Sequence, residues 1–97
     1  MMQAAAGTTF VRIEKRFGLD EARRLREALE ALRPIRQVSI DFSGAEHVED
    51  AALSELARLM VVSPECRFRL AGLTHHKRRL LRYMGAPADA PARDAAA

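Results

Sequence analysis

The sequence predicts a small α/β domain with a mostly parallel β-sheet and the element order βαβαβα. Three segments alternate apolar and polar residues, as strands do, and apolar residues recur every three or four positions in the segment after each. Strands that alternate with helices form parallel sheets with right-handed crossovers. Because no strand is apolar throughout, we expect the helices to pack mainly on one face of the sheet.

The first strand and helix lie before Pro34. Apolar and charged residues alternate from residue 8 to Phe17, and Gly18 ends this strand. A helix then starts at Leu19, with two acids in its first turn that favour the positive end of the helix dipole. Pro34 ends the helix because proline disfavours the helical conformation of the residue before it.

The second strand is predicted at residues 37–42 and is followed by a loop at residues 43–45. The second helix begins near Glu49 or Asp50 and closes at Pro64.

The third strand is predicted at residues 67–73. Thr74 is a suitable N-cap for a third helix that ends at Met84, and Gly85 suits the position just after it. The predicted core consists of the inward-facing apolar residues of all six elements: Val11, Ile13, Leu25, Leu29, Val38, Ile40, Phe42, Leu53, Leu56, Met60, Phe68, Leu70, Leu80 and Leu81.

The two ends of the chain contain little that a core could use. Residues 1–7 are predicted to be a flexible N-terminal tail, so that no strand precedes the one at residue 8. Residues 86–97 are rich in alanine, proline and aspartate and are predicted to be a disordered tail. A single domain over residues 8–85 remains.

Several classes of function find no support in the sequence. A single cysteine, Cys66, excludes an internal disulfide and a cysteine zinc site and fits a reducing cytoplasm. No apolar run reaches the ~18 residues of a membrane span, so we do not expect a transmembrane protein, and the N-terminal residues do not have the pattern that would predict a secretory signal. No glycine-rich phosphate loop, activated nucleophile or metal-ligand spacing is present. We therefore expect a cytoplasmic protein that is not an enzyme and has no catalytic, cofactor-binding or metal-binding residues.

The positive charge is confined to one short segment. The formal net charge is +3, from 16 basic and 13 acidic residues. The third helix has four basic residues and no acidic one, namely Lys77, Arg78, Arg79 and Arg82. A nucleic-acid partner is therefore not favoured by the charge of the chain as a whole, and these four residues are expected to form at most a secondary contact surface.

One stretch resembles the core of STAS domains, the family of bacterial anti-sigma factor antagonists and sulfate-transporter tails. Asp41-Phe42-Ser43-Gly44 resembles the family's Asp-Leu-Ser-Gly, and residues 48–53 (Val-Glu-Asp-Ala-Ala-Leu) stand where its Ile-Asp-Ser-Ser/Thr-Gly-Leu begins a helix. The flanks agree, since Gly18-Leu19-Asp20 and Leu70-Ala71-Gly72-Leu73 are similar to other family segments. The resemblance covers roughly residues 9–86 and implies the STAS fold.

The resemblance also implies a phosphorylation switch at the start of the second helix, and here the sequence departs from the family. In antagonists a kinase phosphorylates a serine or threonine at this point and so switches partner binding off. Aligned by position, that residue falls on Asp50, the family's aspartate on Glu49 and its glycine on Ala52. A shift by one residue would instead place Ala51 at the serine. Neither register has a hydroxyl there. Ser54, one turn later, has two interpretations: a substitute phosphate acceptor or an ordinary solvent-facing helix serine.

An aspartate at the switch position has two interpretations. It imitates the phosphorylated state permanently, or it marks the loss of the switch, with the acid serving as a helix cap. In both, the resemblance implies a non-catalytic protein-interaction module of the anti-sigma factor antagonist type. Its partner-binding surface is expected at Ser43, Gly44, Glu49, Asp50, Ala51, Leu53 and Ser54.

The implied partner is an anti-sigma factor of the kinase-like ATPase type, a signalling scaffold or a transporter component. The alternatives are an accessory subunit of a transporter complex and a small nucleic-acid-binding module that uses the basic helix at residues 75–82. The sequence leaves open whether the protein forms a homodimer.

Overall fold

The computed structural model describes residues 2–5, 7–32 and 34–86, and these form one sheet with helices packed on it. The strands are β1 (Met2–Ala5), β2 (Thr8–Phe17), β3 (Gln37–Val48) and β4 (Arg67–Ala71). The helices are α1 (Leu19–Ala31), α2 (Asp50–Val62) and α3 (His75–Tyr83). Strand order follows the chain, with β2, β3 and β4 parallel and β1 antiparallel to β2. The predicted α/β architecture is confirmed.

The N-terminal residues differ from the prediction. Instead of a flexible tail, Met2–Ala5 forms an edge strand that pairs antiparallel with the start of β2. Gly7 makes the reversal possible with a φ of +86°, a conformation that glycine adopts without steric cost. Main-chain pairing is what forms this strand, since its sequence has no apolar alternation to predict it.

Strand β3 is longer than predicted. The loop expected at residues 43–45 is part of the strand, which continues to Val48 beside the second half of β2. The register with β2 shifts twice along this stretch, and Lys15 in β2 adopts a φ of 65°. These irregularities of the pairing bend the two strands where their apolar pattern has ended.

The core lies between the helices and one face of the sheet. Of the predicted core, Ile13 and Leu80 are only partly buried, and the others are buried. The prediction omitted Phe17, which is fully buried and meets Phe42 edge to face with ring centroids 5.2 Å apart. Leu32, which continues the three- or four-residue spacing of Leu25 and Leu29 in α1, is 40% exposed because the helix ends before it.

The last helix and the chain end agree with the expected caps. The Thr74 hydroxyl accepts a hydrogen bond from the Lys77 N–H at 3.2 Å, and Gly85 has a φ of +101° just after the helix. Ala86, the first residue of the expected C-terminal tail, is buried. Residues 87–97 lie outside the described residues.

Candidate functional site

The candidate site is formed at the start of α2, where β3 ends. Parallel strands place their carboxyl ends at one edge of the sheet, so the segments after β2, β3 and β4 meet there. The Glu49 N–H donates to the Phe17 carbonyl at 3.0 Å, which ties the end of β3 to the end of β2. Glu49 is the N-cap of α2 and Asp50 is its first helical residue.

Asp50 projects from the start of α2 and is held by α3. Its side chain is 65% exposed, and its Oδ1 accepts a hydrogen bond from the Lys77 Nζ at 2.9 Å. This hydrogen bond, then the positive charges of Lys77 and His76, lower the pKa of Asp50 below its ordinary value. The acid is therefore ionised at neutral pH, with a cation beside it.

Lys77 reaches Asp50 because of how α3 begins. The Thr74 cap fixes the first turn of α3, and Lys77 is the third residue of that helix. Its side chain is only 25% exposed, against 65% for Asp50. Lys77 belongs to the secondary contact surface that the sequence predicts. The structure instead brings it into contact with the candidate switch position.

Glu49 faces a different neighbour from Asp50. Its carboxylate forms an ion pair with Arg16 at the end of β2. It also approaches Gly18, where an added Cβ would lie 3.1 Å from the Glu49 Oε1. Glu49 therefore braces the junction between β2 and α1, whereas Asp50 points toward α3.

Ser43 and Asp41 form a local turn in the middle of β3. The Asp41 Oδ1 accepts hydrogen bonds from the Ser43 hydroxyl at 2.6 Å and the Ser43 N–H at 2.9 Å. The hydroxyl bond, then the main-chain bond, lower the pKa of Asp41. The exposed Ser43 hydroxyl thus stabilises a carboxylate within the strand.

Gly72 packs directly on this turn. It has a φ of +84°, and a Cβ there would lie only 2.4 Å from the Ser43 nitrogen. The loop after β4 therefore approaches the β3 backbone more closely than any side chain would allow.

The remaining predicted site residues divide into exposed and buried ones. Ala51 and Ser54 are exposed on α2, and together with Asp50 they form what we call the α2 surface. Gly44 is half-buried, and a Cβ added to it would lie 3.2 Å from the Ile13 carbonyl oxygen. Leu53 is fully buried, so the expectation that it contacts a partner is corrected: it anchors the first turn of α2 in the core.

The architecture is shared with solved proteins of low sequence identity. The anti-sigma factor antagonist SpoIIAA in its unphosphorylated form matches with a TM-score of 0.70 and 11% identity, covering 99% of this chain and 93% of that chain. The STAS domain of a SulP transporter from Vibrio cholerae matches with a TM-score of 0.66 and 7% identity, covering 95% and 74%. The fold is that of a STAS domain.

A third solved structure with this architecture is that of a serine-to-glutamate variant of RsbS from Moorella thermoacetica. It matches this chain with a TM-score of 0.66 and 19% identity, covering 90% of this chain and 78% of that chain. No protein-family model and no curated protein matches the sequence. At these identities, the likeness establishes the STAS fold and leaves activity to be argued from the site.

The two residues that the alternative registers place at the switch position differ in their contacts. Asp50 is the first and Ala51 the second helical residue of α2, and both are exposed. Asp50 contacts α3, whereas the exposed Ala51 has a methyl group as its whole side chain and no polar atom to offer. Ser54 follows Asp50 by four residues and is its neighbour on the helix surface.

The other basic residues of α3 lie farther along that helix. Arg79 and Arg82 are exposed, and Arg78 is half-buried. Among the described residues, no three or more His, Cys, Asp or Glu side chains come together as metal ligands would. Within the same residues, each helix is too short or too polar to span a bilayer.

Sequence reasoning missed two residues that shape the site. Arg16 pairs with Glu49 across 33 positions of sequence, and no sequence signal points to this contact. Gly72 was noted only as part of a family-like segment, although a glycine directly after a strand is a general sign of close backbone approach.

Proposed function

We propose that the chain is a single, non-catalytic STAS module that binds a protein partner through the α2 surface. The proposed setting is a bacterial, cytoplasmic partner-switching pathway of the anti-sigma factor antagonist type, which regulates transcription. The partner class is an anti-sigma factor of the kinase-like ATPase type or a signalling scaffold. The observation that carries the proposal is an exposed, ionised Asp50 at the first position of α2, within a fold shared with an anti-sigma factor antagonist.

The contact with Lys77 bears on how closely Asp50 imitates a phosphoserine. A phosphoserine has a charge of about −1.5 to −2 at neutral pH, whereas an aspartate has a single negative charge. Lys77 lies 2.9 Å from that carboxylate and balances it locally. The pair is therefore closer in net charge to an unmodified serine than to a phosphoserine, and this favours loss of the switch over permanent imitation of the phosphorylated state.

The direct test compares partner affinity in three forms of the chain: the parent, Asp50→Ser and Asp50→Asn. The partner is a kinase-like anti-sigma factor from the same genome, and binding is measured by calorimetry. Because a charge facing the partner is a first-order contribution to recognition, we expect both variants to change affinity by about fivefold or more. The unfolding temperature should change little, since Asp50 is the first helical residue and not the N-cap of α2, and exposed ion pairs such as Asp50–Lys77 contribute little to folding.

A matched control separates the α2 surface from charge in general. Asp20→Asn removes one exposed acid from the first turn of α1, as Asp50→Asn does for α2. It should leave affinity unchanged. Equal affinities for the parent and both Asp50 variants would contradict the proposal and leave Asp50 a structural residue only.

Phosphorylation gives a second readout. With the kinase and Mg-ATP, Asp50→Ser should gain phosphate at residue 50, where the parent has no acceptor hydroxyl. Ser54→Ala, introduced into the parent, reports whether Ser54 has taken over as acceptor. Phosphate on the parent that disappears with Ser54→Ala would move the switch one turn along α2.

A transporter component is the second candidate partner, because the SulP STAS domain has the same fold. The same three forms of the chain distinguish a transporter component from an anti-sigma factor, when their affinity for the cytoplasmic part of the transporter is measured in the absence of nucleotide. A nucleic-acid role for α3 receives less support, since Lys77 is engaged by Asp50 rather than free for phosphate.

A further inference from the structure

The sheet has a second face, opposite the helices, which we call the open face. Strand register places its residues in two cross-strand rows: Phe10, Ser39 and Arg69 in one, and Thr8, Gln37 and Arg67 in the other. These positions alternate with the buried core residues of the same strands. Within the described part of the chain, all three helices contribute their buried side chains to the other face.

The open face presents an aromatic ring to solvent. Phe10 is 51% exposed, in a strand with neighbours on both sides. A single exposed phenylalanine is common on protein surfaces and does not indicate a partner by itself. Its place on a face that also has polar and cationic side chains is the informative feature, because the register aligns Phe10 with Ser39 and, across β3, with Arg69.

Three arginines lie at the β4 side and the amino-terminal end of this face. Arg67 and Arg69 are exposed and lie two residues apart on β4, roughly 7 Å along the strand. Arg36 is exposed just before β3 and lines a shallow groove with Arg67. Within the described residues, none of these three guanidinium groups forms an ion pair. Among those residues, Glu65 is the acid that lines the same groove.

The opposite end of the open face is electrically balanced. There the Arg12 Nε lies 3.3 Å from the Glu14 Oε2, and Arg12 is paired in register with Asp41. The unbalanced positive charge is thus concentrated at the amino-terminal ends of β3 and β4, the end of the face that also carries Phe10. The candidate site at the start of α2 is at the other end of these strands.

We propose that the open face binds single-stranded nucleic acid. An exposed aromatic ring on a β-sheet provides a stacking surface for a base, and arginines beside it neutralise the phosphates of the strand. Ser39 and Gln37 offer hydrogen-bonding groups between the ring and the arginines. Duplex fits less well, because its bases are stacked on one another and cannot lie on the ring.

Charge decides between this occupant and a second copy of the chain. Two open faces brought together would place unpaired arginines against arginines, which is unfavourable. An acidic peptide would satisfy the arginines but has no flat group for Phe10. The sequence-based expectation against nucleic acid considered the charge of the whole chain and of α3. The open face combines residues from three strands and exists only in the folded chain.

The test measures the binding of a labelled single-stranded oligonucleotide of about 12 nucleotides to the full chain by fluorescence anisotropy. The variants are Phe10→Leu and the double change Arg67→Gln with Arg69→Gln. Each should weaken binding about fivefold or more, and the double change should reduce the log–log salt slope by about 1.4, because each phosphate contact on a single strand contributes about 0.7. Arg23→Gln, an exposed arginine on α1, is the control and should change nothing.

Four outcomes would overturn the proposal. The first is that the oligonucleotide does not bind at about 50 mM salt, where such contacts are strong, and the second is that Arg23→Gln weakens binding as much as the test variants do. The third is that a poly-glutamate peptide binds more tightly than the oligonucleotide and is insensitive to Phe10→Leu. The fourth is that analytical ultracentrifugation shows a dimer that Phe10→Leu converts to monomer. The arginine pair keeps the test valid if the Phe10 variant unfolds. Asp50→Asn should leave oligonucleotide binding unchanged, so this proposal and the proposed function fail independently.

Discussion

The two halves of β3 differ in what holds them in place. Residues 37–41 pair with β2 on one side and with β4 on the other, and the side chains of Val38, Ile40 and Phe42 in this half are buried. Residues 43–48 pair with β2 alone, because β4 ends opposite Asp41. The second half has no fully buried side chain. Apolar burial therefore stabilises the first half, whereas main-chain pairing and close packing hold the second.

This difference explains why the candidate site lies after the second half. The segment packs only Ala45 and Val48 against the core, and both are partly buried, so its exposed side chains are available for contacts outside the domain. Its backbone still needs a fixed path, which the Ser43–Asp41 turn, Gly72 and the Glu49–Phe17 hydrogen bond provide. The candidate site thus follows a part of the sheet that contributes little to the core.

The largest expected effect is on the first half of β3. Ile40→Ala removes a side chain that is 1% exposed in a strand with partners on both sides. It should lower the free energy of unfolding by about 2–5 kcal/mol, measured by urea denaturation. Ser39→Ala, the next residue on the open face, should cost less than about 1 kcal/mol. A loss below about 1 kcal/mol for Ile40→Ala would contradict the assignment of this half to the core.

The second half of β3 should respond most to a change at Gly72. Gly72→Ala combines a positive φ with a Cβ 2.4 Å from the Ser43 nitrogen, so the backbone of one strand must move. We expect a loss of about 2–3 kcal/mol, with chemical-shift changes centred on Ser43.

A second glycine separates the two causes of that loss. Gly85 also has a positive φ, +101°, but a Cβ there would meet only the Val61 Cγ2 at 3.6 Å. Gly85→Ala should therefore cost only the conformational strain, about 1 kcal/mol. Equal losses at the two positions would mean that the close approach of Gly72 to β3 contributes nothing.

The same comparison shows how far sequence reasoning reaches in this chain. Local patterns predicted the first half of β3 from its alternating residues, and the start of α2 from acids that precede its apolar stripe. Ser43, Gly44 and Ala45 were read as a loop because serine and glycine are typical of turns. Their strand conformation comes from pairing with β2, residues about 30 positions earlier, and no local pattern encodes that pairing.

The candidate site was predictable in position but not in its contacts. The family-like residues located Asp50 correctly at a helix start. Its partner Lys77 is 27 residues away and was assigned to another surface, because the packing of α3 against α2 is decided by the whole core. Strand β1 was not predicted for a similar reason. Its alanine-rich segment has no alternating pattern of apolar and polar residues, and it forms a strand by pairing with the edge of β2.

A smaller effect is expected from the hydroxyl that stabilises the turn in β3. Ser43→Ala removes the 2.6 Å hydrogen bond to Asp41 and keeps the main-chain one. The pKa of Asp41 should rise toward its ordinary value of 3.8 without reaching it. The loss of stability at neutral pH should be about 0.5–1 kcal/mol, because this bond is exposed to solvent.

The pH dependence of this loss identifies its cause. A carboxyl whose pKa is lowered in the folded state stabilises the fold above its ordinary pKa, and this stabilisation is lost as the pH falls through the lowered value. The difference between the parent and Ser43→Ala should therefore be constant near neutral pH and shrink below about pH 4. A difference that stays constant down to pH 2 would assign the loss to packing instead.

The smallest effect on stability, and the sharpest readout of the site, is expected from Lys77→Gln. The change removes the charge and the hydrogen bond that hold Asp50, so the pKa of Asp50 should rise toward its ordinary value of 3.8. The carboxyl carbon signal of Asp50, followed by NMR through an acid titration, measures this directly. Arg79→Gln, an exposed cation on the same helix, should leave the titration unchanged. Because exposed ion pairs contribute little to folding, the unfolding temperature should hardly move.

At neutral pH the Lys77→Gln variant leaves Asp50 ionised without its neighbouring cation, which increases the negative charge of the α2 surface. If the neutral pair is what a partner recognises, Lys77→Gln should weaken partner binding although Asp50 is intact. A partner affinity that is unchanged while the titration shifts would mean that Lys77 positions α3 and has no part in recognition.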